Sequence, residues 1–479
     1  MPPFNPEGGS PGLPADFLIA QDGRIVASKS EYMHSISGPS MRCFILRRNI
    51  RLIESDRRDQ RLLQAKREST AGCASTTARV GQIDILSVTD MSARIVTGLS
   101  LVMCGVALVS AVGAANPAKP SINLMRVPNS GIQPQIVEKD GIVHLLYFTG
   151  DPKGGDLNYV ESRDYGKTFS KPIRVNSESG TAMATGNIRG GQMAIGADGR
   201  VHVAWIGSSL AQPRAASNSA PVLYARMADT KDHFEASHHV NDASWGADGA
   251  SIAADSKDDV FVFWHAQPPG GRNEAERRLW IARSTNGGKS FAGERVAYSE
   301  PTGVCGCCGT RAFADADDTV YTLFRAATQV IHRDMYLLTS MDRGMTFHGV
   351  DIARWNVGAC VMSSASLIQS GKDVLAAWES EKQVYFGRVD HATHQLGGVT
   401  AAPDSGTNRK YPAIATNNNG QTLFVWTENM AWAKGGSVVW QLYDRSNHPE
   451  AVRGQTTGVP AWSLVAAFAR RDGSFTIVY

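Results

Sequence analysis

Ser162–Phe169 reads SRDYGKTF, and two later stretches, Ser284–Phe291 (STNGGKSF) and Ser340–Phe347 (SMDRGMTF), repeat its pattern. In such a pattern the serine and aspartate side chains bond to nearby turn amides, and glycine supplies a backbone conformation with positive φ. The closing phenylalanine anchors the outgoing strand. Three copies in one chain indicate repeated supersecondary units, each containing two strands joined by this turn.

A second repeated element is a tight turn followed by an apolar, β-forming run that ends in an aromatic residue. Seven copies begin at Asp140, Asp198, Asp258, Asp317, Lys372, Asn419 and Asp472. Successive copies lie 47 to 60 residues apart, about the length of one four-stranded propeller blade. Because no sustained helical periodicity follows Pro120, the sequence predicts an all-β fold, a β-propeller of six or seven four-stranded blades.

The seventh repeat is incomplete, because the chain ends at Tyr479 after only two of its strands. The segment Ile122–Val127 resembles the outer strand Lys171–Val175 of the first repeat. We therefore predict six complete units and a partial one, which Ile122–Val127 completes by joining the last blade.

The repeated turn resembles the Asp-box, or BNR repeat, of the sialidase (neuraminidase) superfamily. This resemblance implies a sialidase-like β-propeller whose Asp-boxes are structural and lie on the side opposite the ligand site. It also implies that ligands bind at the end of the central channel where loops lead into the innermost strands. The residues that precede each inner strand are therefore the candidates for chemistry.

Composition narrows the classes of partner. The 479 residues carry a formal net charge of only +3, and lysine and arginine are scattered through the predicted propeller. This balance gives no support for nucleic-acid binding or for polybasic binding to a membrane.

An apolar run inside the chain predicts export. Met91–Arg94 is followed by the uncharged run 95–111 and by small residues up to Ala115, the arrangement of a secretory signal peptide. We interpret 1–90 as a non-native or disordered extension, 91–115 as the signal peptide and 116–479 as the propeller, in a secreted or periplasmic protein that starts at Met91. A membrane anchor formed by the same apolar run is the alternative, and an uncleaved segment is the only expected membrane contact.

Four cysteines follow the expected cleavage site: Cys305, Cys307, Cys308 and Cys360. They precede the inner strands of neighbouring repeats, so we expect them to meet in space. Disulfides are the expected state in an oxidising compartment. The alternative is a thiolate and thioether site for a soft metal such as copper(I) or zinc, with Met362 assisting.

Three arginines precede the inner strands of alternate repeats: Arg189, Arg311 and Arg409. Sialidases hold the carboxylate of their substrate with three arginines at the centre of the ring, because guanidinium pairs with carboxylate in a fork geometry. The resemblance therefore implies that these arginines bind an acidic sugar.

The same resemblance implies a tyrosine nucleophile assisted by a glutamate, with a separate aspartate acting on the leaving group. Tyr411 is the candidate nucleophile, Glu428 its partner, with Glu379 as a second choice, and Asp248 the acid/base. The expected function is an exported glycoside hydrolase acting on acidic, sialic-acid-like sugars without a cofactor.

Two alternatives remain open. The chain has Gln133-Pro134 where true sialidases carry an Arg-Ile-Pro motif. This difference keeps a non-catalytic propeller that binds a glycan, a glycoconjugate or a protein partner as the alternative function. A metal-handling protein centred on the cysteines is the other alternative.

Overall fold

The computed structural model describes Ser121–Tyr479 and two short strands near the N-terminus, β1 (Asp16–Ile19) and β2 (Ile25–Lys29). β1 and β2 pair antiparallel in one unit of the chain, and Ser121–Tyr479 belongs to the other. The expected signal peptide or anchor, 91–115, and most of the expected extension, 1–90, lie outside the described residues. Within the described ranges, no helix has the length and apolar character needed to cross a bilayer.

The residues from Ser121 onward form seven small sheets, of which six have four antiparallel strands in chain order. Blades 1 to 3 consist of β4 (Ile132–Lys139), β5 (Ile142–Asp151), β6 (Gly154–Ser162), β7 (Ile173–Arg174), β8 (Gln192–Ile195), β9 (Val201–Ile206), β10 (Val222–Arg226), β11 (His238–His239), β12 (Trp245–Ala254), β13 (Val260–Gln267), β14 (Arg278–Ser284) and β15 (Arg295–Val296). Blades 4 to 6 consist of β16 (Arg311–Ala314), β17 (Val320–Arg325), β18 (Met335–Ser340), β19 (His348–Ala353), β20 (Ser366–Ser370), β21 (Asp373–Ser380), β22 (Gln383–Val389), β23 (Leu396–Ala401), β24 (Lys410–Thr416), β25 (Thr422–Glu428), β26 (Gly436–Tyr443) and β27 (Pro449–Val459).

The seventh blade closes the ring. β28 (Ala466–Ala469) and β29 (Phe475–Val478) are antiparallel, and β3 (Ile122–Met125) joins β29 in parallel as the third strand. A short 3-10 turn at Pro128–Ser130 then leads from β3 into blade 1, and another lies at Ala216–Asn218. The inner strands contact one another in order around the ring, and β28 contacts β4. The predicted all-β propeller and its closure by the N-terminal strand are confirmed, with seven blades.

The core lies between adjacent blades. The second strands β9, β13 and β17 are buried along their whole length, because a neighbouring blade covers each face. One tryptophan in each of four second strands is fully buried: Trp205, Trp264, Trp378 and Trp426. Trp205 packs in one cluster with Leu146 of the preceding blade, so each such side chain joins two sheets.

The repeated turns join the third and fourth strands of blades 1, 3 and 4. In the first turn, Ser162 Oγ accepts a hydrogen bond from the Gly166 amide at 2.8 Å, and the Asp164 carboxylate accepts from the Thr168 amide at 2.9 Å. Gly166 has φ of +81°, which an L-residue rarely adopts. Phe169 packs against the core between blades 7 and 1.

Because the strands alternate in direction, the repeated turns of blades 1, 3 and 4 lie at the same end of the blades as the loops between first and second strands, and we call this end the lower face. The loops that lead into the inner strands, and the loops between second and third strands, lie at the other end. We call this end the upper face, and all the predicted site residues belong to it or to its border with the central channel.

Candidate functional site at the upper face

The loops of the upper face meet above a central cavity of about 630 Å³ that is lined by residues of all seven inner strands. A Cβ atom on Gly309 of blade 4 would lie 3.6 Å from Ile188 of blade 2 and 3.8 Å from Ser364 of blade 5. Loops from three blades are therefore in van der Waals contact across the ring.

At several of these loops, or at the first residues of the inner strands that they enter, a residue other than glycine adopts the left-handed backbone region. The set comprises Gln133, Asn187, Met362, Tyr411 and Trp462, with φ between +51° and +67°. Such conformations cost about 1 to 3 kcal/mol each and persist where surrounding contacts hold them. In a regular strand, successive side chains point to opposite faces of the sheet. These bends interrupt that alternation.

Arg189 and Asp248 form an ion pair between blades 2 and 3. Arg189 Nε lies 3.0 and 2.9 Å from the two carboxylate oxygens of Asp248, and Nη2 lies 2.6 Å from Oδ2. The Asp248 charge raises the pKa of Arg189 despite burial. The predicted acid/base and one predicted clamp residue are thus bonded to each other.

Arg311 faces the central cavity and has a different set of partners. Its Nη2 donates to Gln135 Oε1 at 2.9 Å, its Nε donates to the Ala365 carbonyl at 3.2 Å, and its Nη1 donates to Gln192 Oε1. Burial lowers the pKa of Arg311 to about 10. The guanidinium is held by amide oxygens on the cavity wall.

Arg409 and Glu428 form an ion pair where blade 6 meets blade 5. Arg409 Nε lies 3.0 Å from Glu428 Oε1, and its two Nη atoms donate to Gln383 and to the carbonyls of Ala402 and Pro403. The Arg409 side chain is only 4% exposed and lies over the Trp426 ring. The nitrogen donors of Arg409 are therefore occupied. Each of the three predicted arginines bonds to different groups, and no group accepts from two of them.

Tyr411 is buried at the wall of the cavity, and the carboxylate that acts on it is Glu379. Burial raises the pKa of Tyr411, and the negative charges of Glu379 and then Cys308 raise it further. Burial also raises the pKa of Glu379 to about 7, against the opposing charges of Lys410 and Arg325. Lys410 Nζ lies 3.0 Å from Glu379 Oε1. Glu379, the second-choice glutamate, therefore acts electrostatically on Tyr411, whereas Glu428 is bonded to Arg409.

The four cysteines meet as expected, in a mixed state. Cys307 and Cys360 form a disulfide, whereas Cys305 and Cys308 are buried free thiols with sulfur atoms 3.2 Å apart. Cys305 Sγ is also 3.6 Å from Cys307 Sγ. The two free cysteines have the spacing of a Cys-x-x-Cys motif. This motif is difficult to recognise in the sequence because Cys307 lies between them.

The cationic side chains around the free thiols favour a thiolate. Burial raises the pKa of Cys308, but hydrogen bonds from Cys305 and Ser363 and the charge of Arg325 outweigh it and lower the pKa to about 6. The hydrogen bond to Cys308 and burial raise the pKa of Cys305. Cys308 is therefore the more acidic member of the pair.

Two tryptophans that the sequence analysis did not single out stand beside the Arg189–Asp248 pair. Trp432 is 48% exposed, and its ring lies 6.1 Å from that of Trp462 in an edge-to-face arrangement. A Cβ on Gly186 would lie 3.2 Å from the Trp432 ring and 3.5 Å from Arg189 Nη1, so this glycine lets the two approach. The available signal was a tryptophan in a loop between a second and a third strand.

No family model and no curated protein matches this chain. Solved structures that resemble it include a Hadza microbial sialidase (10% identity, 70% of this chain, 75% of that chain, TM-score 0.43). A Penicillium chrysogenum α-L-arabinanase is also similar (13% identity, 67% of this chain, 95% of that chain, TM-score 0.45). The Trypanosoma rangeli sialidase is similar too (13% identity, 64% of this chain, 54% of that chain, TM-score 0.42). At these values the likeness concerns the general fold alone.

Proposed function

We propose that the chain is a carbohydrate-binding β-propeller whose glycan site is the part of the upper face around Trp432. The observation that supports this most directly is the exposed Trp432 ring beside Trp462 and the Arg189–Asp248 pair. An exposed aromatic ring offers an apolar surface to a sugar ring, and polar groups at its edge give orientation by bonding hydroxyl groups.

The charges around this site favour a neutral sugar over an acidic one. Arg189 is paired with Asp248, and Arg409 is paired with Glu428 inside blade 6. A guanidinium that is already bonded to a carboxylate offers little additional attraction to the carboxylate of a ligand. The pair can still exchange hydrogen bonds with sugar hydroxyls.

Glycoside hydrolysis by a tyrosine nucleophile, including action on sialic-acid-like sugars, is the second candidate. It is supported by Tyr411 at the cavity wall and by Glu379, a buried carboxyl group that acts electrostatically on Tyr411 and whose raised pKa of about 7 suits proton transfer at neutral pH. In this version Glu379 accepts the phenol proton and Asp248 acts on the leaving group. Export from the start at Met91 belongs to the same proposal, and the Cys307–Cys360 disulfide supports it.

An array of neutral and sialylated oligosaccharides, followed by calorimetry on the best binders, tests the main proposal on the full chain. We expect Trp432→Ala to weaken binding at least tenfold, which corresponds to about 1.4 kcal/mol. The matched control is Met341→Ala, which removes an exposed apolar side chain from a lower-face turn. Unchanged affinity in Trp432→Ala would overturn the proposed site.

Fluorogenic α- and β-glycosides, including a sialoside, separate the second candidate from the first. Turnover that is lost in both Tyr411→Phe and Glu379→Gln but kept in Glu428→Gln would support the tyrosine mechanism with Glu379 as partner. Binding without turnover on these substrates would leave the chain as a binding protein.

A further inference from the structure

The cysteine cluster is layered from solvent towards the interior. Cys360 is exposed and Cys307 is half-buried, so their disulfide lies at the surface. Cys305 and Cys308 lie beneath it, fully buried. The sulfur contacts of 3.6 Å between Cys305 and Cys307 and 3.2 Å between Cys305 and Cys308 form a continuous chain of four sulfur atoms.

We propose that this cluster is a thiol–disulfide exchange site, in which the buried Cys305/Cys308 dithiol and the surface Cys307–Cys360 disulfide interconvert. Its external reactants are low-molecular-weight thiols and disulfides of the glutathione class, which reach Cys307 and Cys360 from solvent. The order of the sulfur atoms allows the disulfide to pass from the surface pair to the buried pair without an added oxidant.

The first step begins with Cys308 as thiolate and Cys305 as thiol. The Cys305 proton passes to Cys308, the Cys305 sulfur bonds to the Cys307 sulfur, and the Cys307–Cys360 bond breaks. Cys360 leaves as a thiolate and takes a proton from solvent. In the second step Cys308 attacks Cys305, and its proton goes to the departing Cys307. The products are a Cys305–Cys308 disulfide and two accessible thiols.

The surroundings of the dithiol supply the charges that such a step requires. Arg325 donates to Ser363 Oγ, and the Ser363 hydroxyl is 3.7 Å from Cys308 Sγ. Arg333, paired with Glu274, and Arg325 both lie within electrostatic range of the thiols. Two buried guanidinium groups next to a buried dithiol stabilise the thiolate form, which is the reactive one.

A soft-metal site uses the same atoms in a different way. With Cys307 bonded to Cys360, two free sulfur atoms remain in the cluster, fewer than the three or four that a structural zinc site takes. The described geometry therefore favours exchange chemistry, and metal capture becomes an outcome that the experiment can detect.

The test uses full-length Cys360→Ser, in which the half-buried Cys307 becomes a free thiol and the buried pair is untouched. One equivalent of glutathione disulfide is added, and free glutathione is counted. Exchange predicts two equivalents of glutathione released: one when Cys307 is glutathionylated and one when the buried pair displaces it. In Cys305→Ser/Cys360→Ser we expect one equivalent only, with glutathione retained on Cys307.

A peptide map of the wild-type protein, trapped with N-ethylmaleimide and cut with trypsin, gives a second readout that needs no buried substitution. Cys305, Cys307 and Cys308 fall in the peptide 296–311, and Cys360 falls in 355–372. Exchange predicts a cross-linked pair together with a separate population in which 355–372 is alkylated and 296–311 contains an internal disulfide.

Three results would overturn the proposal. The first is release of one equivalent of glutathione or none from Cys360→Ser, together with a wild-type map that contains only the cross-linked pair. The second is a Cys305 and Cys308 pair that stays alkylatable after incubation with glutathione disulfide. The third is copper or zinc bound stoichiometrically to the purified protein and protecting both thiols from alkylation.

Discussion

The lower-face turns and the upper-face loops use carboxylates in opposite ways. In the turns, Asp164 and Asp342 accept hydrogen bonds from residues four positions further along the chain. On the upper face and in blade 6, carboxylates pair with side chains 19 to 59 positions away, as in Arg409–Glu428 and Arg189–Asp248. Short-range bonds can be recognised in a sequence, whereas long-range pairs are made by the packing of strands.

This difference also separates stability from function. The aspartate of each turn holds the backbone of its own loop, so a substitution of that aspartate affects one loop, although Arg343 of the third turn also pairs with Asp255 and Asp259 of blade 3. The upper-face groups hold each other, so removal of one leaves a buried partner without its charge or hydrogen bonds. Substitutions at the two ends should therefore differ in size and in pH dependence.

The largest difference is expected from Arg409→Met. The substitution leaves Glu428, whose side chain is only 15% exposed, without its cation and removes the donors to the carbonyls of Ala402 and Pro403. We expect a loss of about 3 to 5 kcal/mol in the free energy of unfolding, measured with urea. The matched control is Arg453→Met, because Arg453 and its partner Asp404 are 65% and 71% exposed.

The control should change the free energy of unfolding by no more than about 0.5 kcal/mol. Similar losses in the two variants would mean that the buried pair in blade 6 is no more important to stability than a surface ion pair. The contrast between local and long-range carboxylates would then lose its energetic basis.

A second prediction concerns pH. The pKa of Glu379 is raised by burial from 4.5 to about 7, so the folded protein binds this proton more tightly than the unfolded chain does. The stability contributed by protonated Glu379 is fully present below pH 4.5 and is lost as pH rises through 7, by about 3 kcal/mol. Urea unfolding at pH 5 and pH 8 should show this loss in the wild type and not in Glu379→Gln.

The free energy of unfolding contributed by Asp342 on the lower face should change with pH in the opposite direction. Burial is the largest single influence and raises the pKa of Asp342, but the hydrogen bonds from Thr346, Ser340 and the Met345 amide together outweigh it and lower the pKa to about 2. The stability contributed by Asp342 is present above pH 3.8 and is lost as pH falls through 2.

For Glu379, parallel pH profiles of the free energy of unfolding in the wild type and in Glu379→Gln between pH 5 and pH 8 would contradict the assignment of a buried neutral carboxyl group.

The sequence predicted the blades because their signals are local. The repeated turns and the apolar second strands indicate the propeller, and the likeness of Ile122–Val127 to an outer strand predicts the closure. The bonding partners of the three arginines could not be predicted in the same way, because they come from distant parts of the chain. Tyr411 lines the cavity but has φ of +51° and lies at a register shift in β24. Arg409, two residues earlier, bonds instead to Glu428 of its own blade and to Gln383 of blade 5.

The site around Trp432 could not be predicted from the sequence either. Trp432 and Trp462 come from separate loops, and Trp432 approaches Arg189 because Gly186, in a third loop, has no side chain. Neither the spacing of the tryptophans nor their residue type distinguishes them from core residues such as Trp426. Only the closure of the ring brings blades 2, 6 and 7 together at one place.

The smallest effect is expected from Asp342→Asn in a lower-face turn. The second turn already has Asn286 at the equivalent position, where its Oδ1 accepts from the Ser290 amide at 3.0 Å. Asp342→Asn should therefore keep the bond to the Thr346 amide and change the free energy of unfolding by less than about 0.5 kcal/mol, whereas Asp342→Ala should cost about 1 kcal/mol. Hydrogen exchange of the Thr346 amide should accelerate in Asp342→Ala only. Equal acceleration in both variants would show that charge, rather than the amide-accepting oxygen, holds the turn, and that the three turns are not interchangeable units.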